Sequence, residues 1–215
     1  MSNTQSPTRV KLNNVRITFP ELFEPKEYKP GDGKGFFYSA SFILPRDHPG
    51  IPALRAAIQA AAVAKWQNKA DEMLAVAKAK DKLPVHDGDL KANKPYGAAY
   101  KGMLYVSARN KVTPQNLPPR VFALEQDPAT GLAREIKAIE GRPHSGEYVN
   151  VILDIFGYVQ GGGEGVGASI AGVQSLNHGE RLAGGATASA DDFDAVPVQQ
   201  QEAAASSGKG AAALF

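Results

Sequence analysis

The segment Glu147–Gln160 (EYVNVILDIFGYVQ) constrains the fold more than any other part of the sequence. Apolar and polar residues alternate along it, which is the pattern of a β-strand with one buried face. The expected core face consists of Val149, Val151, Leu153 and Ile155. The sequence therefore predicts a fold organised around a β-sheet.

Four earlier segments also have strand character, with short runs of apolar residues bounded by turn residues. They are Arg9–Phe19, Phe36–Leu44, Gly102–Asn110 and Arg120–Glu125. Asn13 and Asn14 interrupt the alternation of the first segment, as a β-bulge does. The stretch from Pro20 to Gly35 is rich in turn residues and is expected to connect the first two strands. The pattern of Ala168–Leu176 leaves helix and strand open.

One helical region interrupts the strands. Asp47 to Pro52 form a helix-start signal, and the alanine-rich segment after them extends to about Lys80, with a break near Asn68. Trp66 belongs to its apolar stripe, which favours a core position over a nucleic-acid contact. Because strands and helices do not alternate regularly, we expect a mainly β (α+β) fold, an OB-like small β-barrel with a long helical insertion.

The composition changes at about residue 184. Beyond it the chain is rich in Gly, Ala, Ser and Gln and has no hydrophobic periodicity, which predicts a disordered acidic tail at residues 185–215. Residues 1–184 are expected to form the OB-like single-stranded nucleic-acid-binding domain. The tail carries a net charge of −3, so the body carries +5 of the total of +2. A basic body thus precedes an acidic tail.

Residues with catalytic or metal-binding chemistry are scarce. The chain has no cysteine, which excludes thiolate catalysis and cysteine-ligated metals. The four histidines are scattered, without metal-site spacing, and no G-x-S-x-G motif is present, so we expect no metal, no cofactor and no catalytic residues. The most polar cluster, His86–Asp89, is interpreted as a turn rather than a Mg²⁺ or acid–base site. The glycine-rich stretch Gly161–Gly167 fits no phosphate-binding motif and is interpreted as a mobile hairpin or barrel loop.

Aromatic residues interleaved with cations are the remaining signal. Aromatic rings stack on the bases of single strands, while lysine and arginine contact the phosphates. The candidate nucleic-acid-binding residues are Arg16, Phe37, Tyr38, Lys94, Tyr100, Lys101, Tyr105, Arg109 and Lys111. No run of apolar residues is long enough to span a membrane, and we expect a soluble protein.

The sequence also resembles phage-encoded single-stranded DNA-binding proteins with an OB-fold. The resemblance covers most of residues 9–182. It rests on VKLNNVRITFPELFEP (10–25), FYSASFILP (37–45), LPVHDGD (83–89), Tyr100-Lys101-Gly102 and GVGASIAGVQ (165–174). It implies a cytoplasmic protein of the infected bacterium that coats replicating or recombining single strands, as a homo-oligomer.

The tail is similar to that of bacterial single-strand-binding proteins, whose acidic end and terminal Phe dock partner proteins. The matching residues are Asp191, Asp192, Asp194, Leu214 and Phe215. Here about twenty residues separate the acids from the terminus, so partner docking and a merely solubilising tail both stay open.

Together these patterns predict a non-enzymatic protein that binds single-stranded DNA independently of sequence. A strand-annealing recombinase is an alternative with the same ligand. A phage structural or assembly protein with protein contacts only is an alternative of another class, and a nuclease using Asp87 and Asp89 is a third.

Overall fold

The computed structural model describes residues 6–27, 31, 33, 35–160 and 163–182. Contacts within the chain divide it at residue 183, and the described residues all belong to the first unit, 1–183. The predicted acidic tail, with its candidate docking residues, lies outside the described residues and stays a prediction.

The described residues form a mainly β structure, which confirms the predicted class. Its eight strands are β1 (Arg9–Glu27), β2 (Phe36–Pro45), β3 (Val85–Asp87), β4 (Met103–Lys111), β5 (Arg120–Gln126), β6 (Ala133–Glu135), β7 (Tyr148–Gln160) and β8 (Gly163–Ser175). They make one sheet with the order β3-β4-β2-β1-β7-β8-β5-β6. Neighbouring strands are antiparallel except β5 and β8, which are parallel.

Two helices separate β2 from β3. Helix α1 (Ile51–Trp66) and helix α2 (Ala70–Ala79) are joined by one 3₁₀ turn, Gln67–Lys69, which confirms the predicted break. Gly50 rather than Asp47 is the N-cap of α1, with Pro52 in the first turn. Within the described part of the chain, no helix is both long and apolar enough to cross a bilayer.

The core lies between the inward faces of the strands and the helices. The four residues expected on the core face of β7 are all at most 2% exposed. They share one cluster with Phe42 of β2, Val106 of β4 and Leu54 of α1, and Trp66 packs partly buried against it, as predicted. Burial of each large apolar side chain stabilises the fold by about 1.5–3 kcal/mol.

Strand β1 is longer than the sequence predicted. The bulge is confirmed, because the register with β7 shifts between Leu12 and Val15. The strand continues through Pro20 and Pro25 to Glu27, so the prediction of a turn-rich connection was wrong for residues 20–27. Proline lacks the N–H that a ladder needs, and both prolines lie where the register with β2 shifts.

The segment Ala168–Leu176, for which the sequence pattern left helix and strand open, lies largely in strand β8. Residues 168–175 are strand, and the strand already begins at Gly163. Gly163–Gly167 therefore belong to the second strand of a hairpin with β7 and not to a barrel loop, while the first two glycines lie outside the described residues. Close packing explains one glycine: a Cβ at Gly167 would lie 2.8 Å from the ring of Phe156 on β7.

A side chain links β4 to β8, which are not ladder neighbours. Asn110 Nδ2 donates to the carbonyl oxygen of Ile170 at 2.8 Å, and its Oδ1 accepts from the Ile170 N–H at 2.7 Å. The amide thus takes the place of a backbone partner for Ile170, which is only 1% exposed. Asn110 thereby connects the two halves of the sheet.

Candidate nucleic-acid interface

The outward side chains of β2 and β4 form a polar strip, here called the β2–β4 face. Ala40 and Phe42 of β2 and Val106 and Ala108 of β4 lie in the core, so residues of the other parity point outward. Three cross-strand pairs result. They are Phe37 with Lys111, Ser39 with Arg109, and Ser41 with Ser107.

Phe37 and two cations mark the open end of this face. The Arg109 guanidinium carbon lies 5.7 Å from the centre of the Phe37 ring. Phe37 is half-buried, whereas Arg109 and Lys111 are exposed. An aromatic ring beside exposed cations can contact a base and its flanking phosphates together. The structure thus brings these three sequence-predicted residues onto one surface.

Strand β1 borders the face with an ion pair. Glu21 is opposite Ser39 and Lys26 is opposite Phe37. Lys26 Nζ lies 2.6 Å from Glu21 Oε1, so the carboxylate is neutralised by its neighbour on the same strand. Glu21 therefore adds no unpaired negative charge to this border of the face.

The other end of the face is covered by residues 88–102, here called the covering segment. Tyr100 of this segment packs on Ile43 and Tyr105, is 0% exposed, and places its hydroxyl 2.6 Å from Thr18 Oγ1. Burial raises the pKa of Tyr100 to about 12. The prediction that Tyr100 stacks on a base was wrong, because its ring has no accessible face.

Tyr105 is a second correction. Its side chain points outward on β4, but it is only 7% exposed because Tyr100 packs edge-to-face against it at 5.3 Å. Burial also raises the pKa of Tyr105. Both tyrosines therefore stabilise the covering segment and are unavailable for stacking.

Two aromatic side chains that were not among the candidates lie at the covered end. Phe19 is 43% exposed, and its ring meets that of half-buried Tyr96 edge-on at 4.8 Å. Lys94 and Lys101, both predicted phosphate contacts, are exposed on the same covering segment. The signal for Tyr96 was present in the sequence, since it lies two residues after Lys94 in a charged, turn-rich stretch.

Two other candidates do not belong to the face. Arg16 donates hydrogen bonds to the carbonyl oxygens of Gly146, at 2.9 Å, and Glu180, at 2.8 Å. Its guanidinium therefore holds main chain, which corrects its assignment as a phosphate contact. Tyr38 is paired with Asn110 and has the parity of the core residue Ala40, so it lies on the opposite side of β2 from Phe37.

The acidic cluster before β4, interpreted as a turn, ends strand β3 and opens the short 3₁₀ helix Gly88–Lys91. Arg46 binds both carboxylates, with Nη2 2.6 Å from Asp87 Oδ1 and 3.1 Å from Asp89 Oδ2. Asp87 also accepts from the Asp89 N–H, and Asp89 accepts from the Gly102 N–H. Among the described residues, no group of three potential ligands is arranged to hold a metal ion.

A cleft of about 570 Å³ lies elsewhere, between the β5–β6 pair and the outer surface of β7 and β8. Phe122, Leu132 and Ile152 give it an apolar lining. Two cations line it, Lys11 and Arg120, of which Arg120 is bound by Glu135 at 3.1 Å.

Comparison with known proteins identifies the family. Residues 8–204 match the family described as the ssDNA-binding protein of Enterobacter phage Enc34. The chain belongs to this family. The resemblance to phage single-stranded DNA-binding proteins that the sequence suggested is thereby confirmed.

Relatives and solved structures agree with the Enc34 family. The p50 protein of Acyrthosiphon pisum secondary endosymbiont phage 1 is 36% identical over 198 residues, covering 90% of this chain and 97% of that protein. The single-stranded DNA-binding protein of bacteriophage Enc34, solved in complex with ssDNA, is similar with a TM-score of 0.63 and 22% identity over 82% of this chain and 90% of that chain. The single-stranded DNA-binding protein gp2.5 of bacteriophage T7 is similar with a TM-score of 0.51 and 13% identity over 91% of this chain and 100% of that chain. The two structures show that the fold is shared.

Proposed function

We propose that this protein binds single-stranded DNA along the β2–β4 face, without sequence preference and without catalysis. The observation that carries the proposal is the match of residues 8–204 to the Enc34 family. The setting that follows is phage DNA replication and recombination in the host cytoplasm.

The strand order supports an OB-like barrel. The neighbours β4-β2-β1-β7-β8 form a chain of five strands, and Asn110 links its two ends. In an OB-fold, the face of the second and third barrel strands binds oligonucleotides. Those strands correspond here to β2 and β4, where the candidate residues Phe37 and Arg109 lie.

The chemistry of the face fits every nucleotide equally. Phe37 at one end and Phe19 with Tyr96 at the other offer rings for stacking, and each base has a π-face. Arg109 and Lys111, with Lys94 and Lys101 on the covering segment, contact phosphates. The small side chains of Ser39, Ser41 and Ser107 between the two ends leave room for the sugar-phosphate backbone. Contacts of these kinds read no base edges, which accounts for sequence independence.

The tail has a regulatory role in this proposal. Leu182, the last described residue, packs against the cluster of Ile43, Tyr100 and Tyr105 at the covered end of the face. Acidic residues tethered there act at a high effective concentration and compete with phosphates for the same cations. Docking of replication or recombination proteins by Leu214 and Phe215, and assembly into a homo-oligomer, complete the proposal.

A polarisation titration of a labelled dT oligomer at two salt concentrations tests the function. We expect binding that weakens with salt, and a loss of about 1–3 kcal/mol in Phe37→Ala. Phe156→Ala is the matched control, because Phe156 is 43% exposed on β7, away from the face. Equal losses in both variants would contradict the assigned surface.

The same titration separates the alternatives. Absence of binding at low salt would favour a structural or assembly protein. If the protein binds, an annealing assay with complementary strands distinguishes passive coating from active pairing, and coating predicts no acceleration of pairing.

A further inference from the structure

Lys91 has an unusual environment in the covering segment. It ends the short 3₁₀ helix Gly88–Lys91, and its side chain is half-buried. Its ammonium nitrogen lies 3.9 Å from the centre of the Tyr105 ring and 4.9 Å from that of Tyr100. The two rings therefore fix the position of the ammonium through cation–π contacts.

No carboxylate of the described residues forms an ion pair with Lys91. The nearby acids have other partners. Asp87 and Asp89 bind Arg46. Asp81 Oδ1 forms a hydrogen bond of 2.9 Å with His86 Nδ1. Burial lowers the pKa of Lys91. The ammonium has thus lost water without gaining a counter-charge, an arrangement that an anionic ligand would complete.

The position of Lys91 makes it continuous with the β2–β4 face. Tyr105, on which it lies, is one cross-strand pair beyond Ser41 and Ser107. Arg109 is four residues further along β4, at a separation of about 13 Å along the strand. A nucleic-acid strand that reached both cations would cross the Ser41–Ser107 pair between them.

We propose that Lys91 is a phosphate-binding residue of the interface, held in place by Tyr100 and Tyr105. This rests on the proposed function and adds a subsite to it. The buried tyrosines then contribute to binding by holding the Lys91 ammonium through cation–π contacts, and not by stacking on bases. Lys94 and Lys101 are exposed on the same segment and extend the positive surface around it.

Lys91→Met tests the proposal, because it keeps an apolar side chain over the rings and removes the charge. The affinity for a labelled dT oligomer is measured over a NaCl series. Losing one phosphate contact on a single strand makes the slope of log K against log[salt] shallower by about 0.7, so the loss of affinity grows about 2.6-fold for each fourfold fall in salt. Lys69→Met removes an exposed lysine between the two helices and should leave the slope unchanged.

A footprint on the wild-type protein gives the same test without a variant. Lysine acylation is followed by mass spectrometry with and without saturating dT oligomer. We expect the labelling rate of Lys91 to fall severalfold while that of Lys69 stays constant. Equal labelling of Lys91 in both states, or a wild-type salt slope in a folded Lys91→Met, would overturn the subsite alone. If the wild-type protein failed to bind the oligomer, the proposed function and the subsite would both fall.

Discussion

Replacement of Tyr100 should damage the fold rather than remove a stacking contact. The ring is 0% exposed in a cluster with Ile43 and Tyr105, so Tyr100→Ala leaves a cavity where an aromatic side chain was packed. Truncations of buried aromatics cost about 3–5 kcal/mol. For a domain of this size, that corresponds to a fall in Tm of roughly 6–20 °C.

The contribution of the Tyr100 hydroxyl to stability can be measured separately from that of the ring. Tyr100→Phe removes only the bond to Thr18, whose Oγ1 can still donate to the Ser41 carbonyl oxygen at 3.3 Å. We therefore expect a cost of about 1 kcal/mol. Lys101→Ala, next in the chain and exposed, is the control and should leave stability unchanged.

Thermal and urea unfolding followed by circular dichroism measure these differences. The expected order of stability is wild type, Tyr100→Phe, then Tyr100→Ala. If Tyr100→Ala unfolded like the wild type but bound a dT oligomer about 1–3 kcal/mol more weakly, the ring would be a stacking contact and the assignment to the core would be refuted.

Three further outcomes are expected. Asn110→Ala should lower the free energy of unfolding in urea by about 2–4 kcal/mol, because it leaves the buried N–H and C=O of Ile170 without partners. A decrease below about 1 kcal/mol would contradict the bridging role. Deletion of residues 185–215 should tighten dT binding at low salt, with a gain that shrinks as salt rises, and equal affinities would refute competition by the tail. Arg134 holds the pKa of the Glu140 carboxyl at about 2, so their ion pair should be present above the usual pKa and be lost as pH falls toward 2. Arg134→Gln should return that pKa, followed by NMR, toward its ordinary range, and an unchanged value would contradict the pairing.

Alternation was a reliable guide where one face of a strand is buried. In β7 the apolar residues Val149, Val151, Leu153 and Ile155 recur at every second position, and both the strand and its core face were predicted correctly. A single rule, the two-residue period of side chains, is enough for such a segment.

Predictions of turns from proline and glycine were wrong where packing against a partner strand keeps these residues in a strand. Pro20 and glycines such as Gly167 are typical of turns, yet both lie inside strands. A register shift accommodates the proline, and the ring of Phe156 covers the glycine. Both compensations come from a partner strand distant in sequence, so no local pattern reports them.

The candidate site was predictable in kind but only partly in position. Phe37, Arg109 and Lys111 could be chosen from residue type, because β2 and β4 place them on one face, at the end away from the covering segment. Tyr100 and Tyr105 have the same residue chemistry, but the covering segment buries them. That segment has no hydrophobic period, so the sequence does not indicate that it packs on the sheet.

The most direct test of the account is to map the DNA contact surface by NMR. Amide shifts of the labelled full chain would be followed during titration with a dT oligomer. The account predicts that the largest changes cluster at Phe37–Ser41, Ser107–Lys111 and around Lys91. Changes confined to the cleft beside Phe122, or to the helices, with β2 and β4 unaffected, would contradict it.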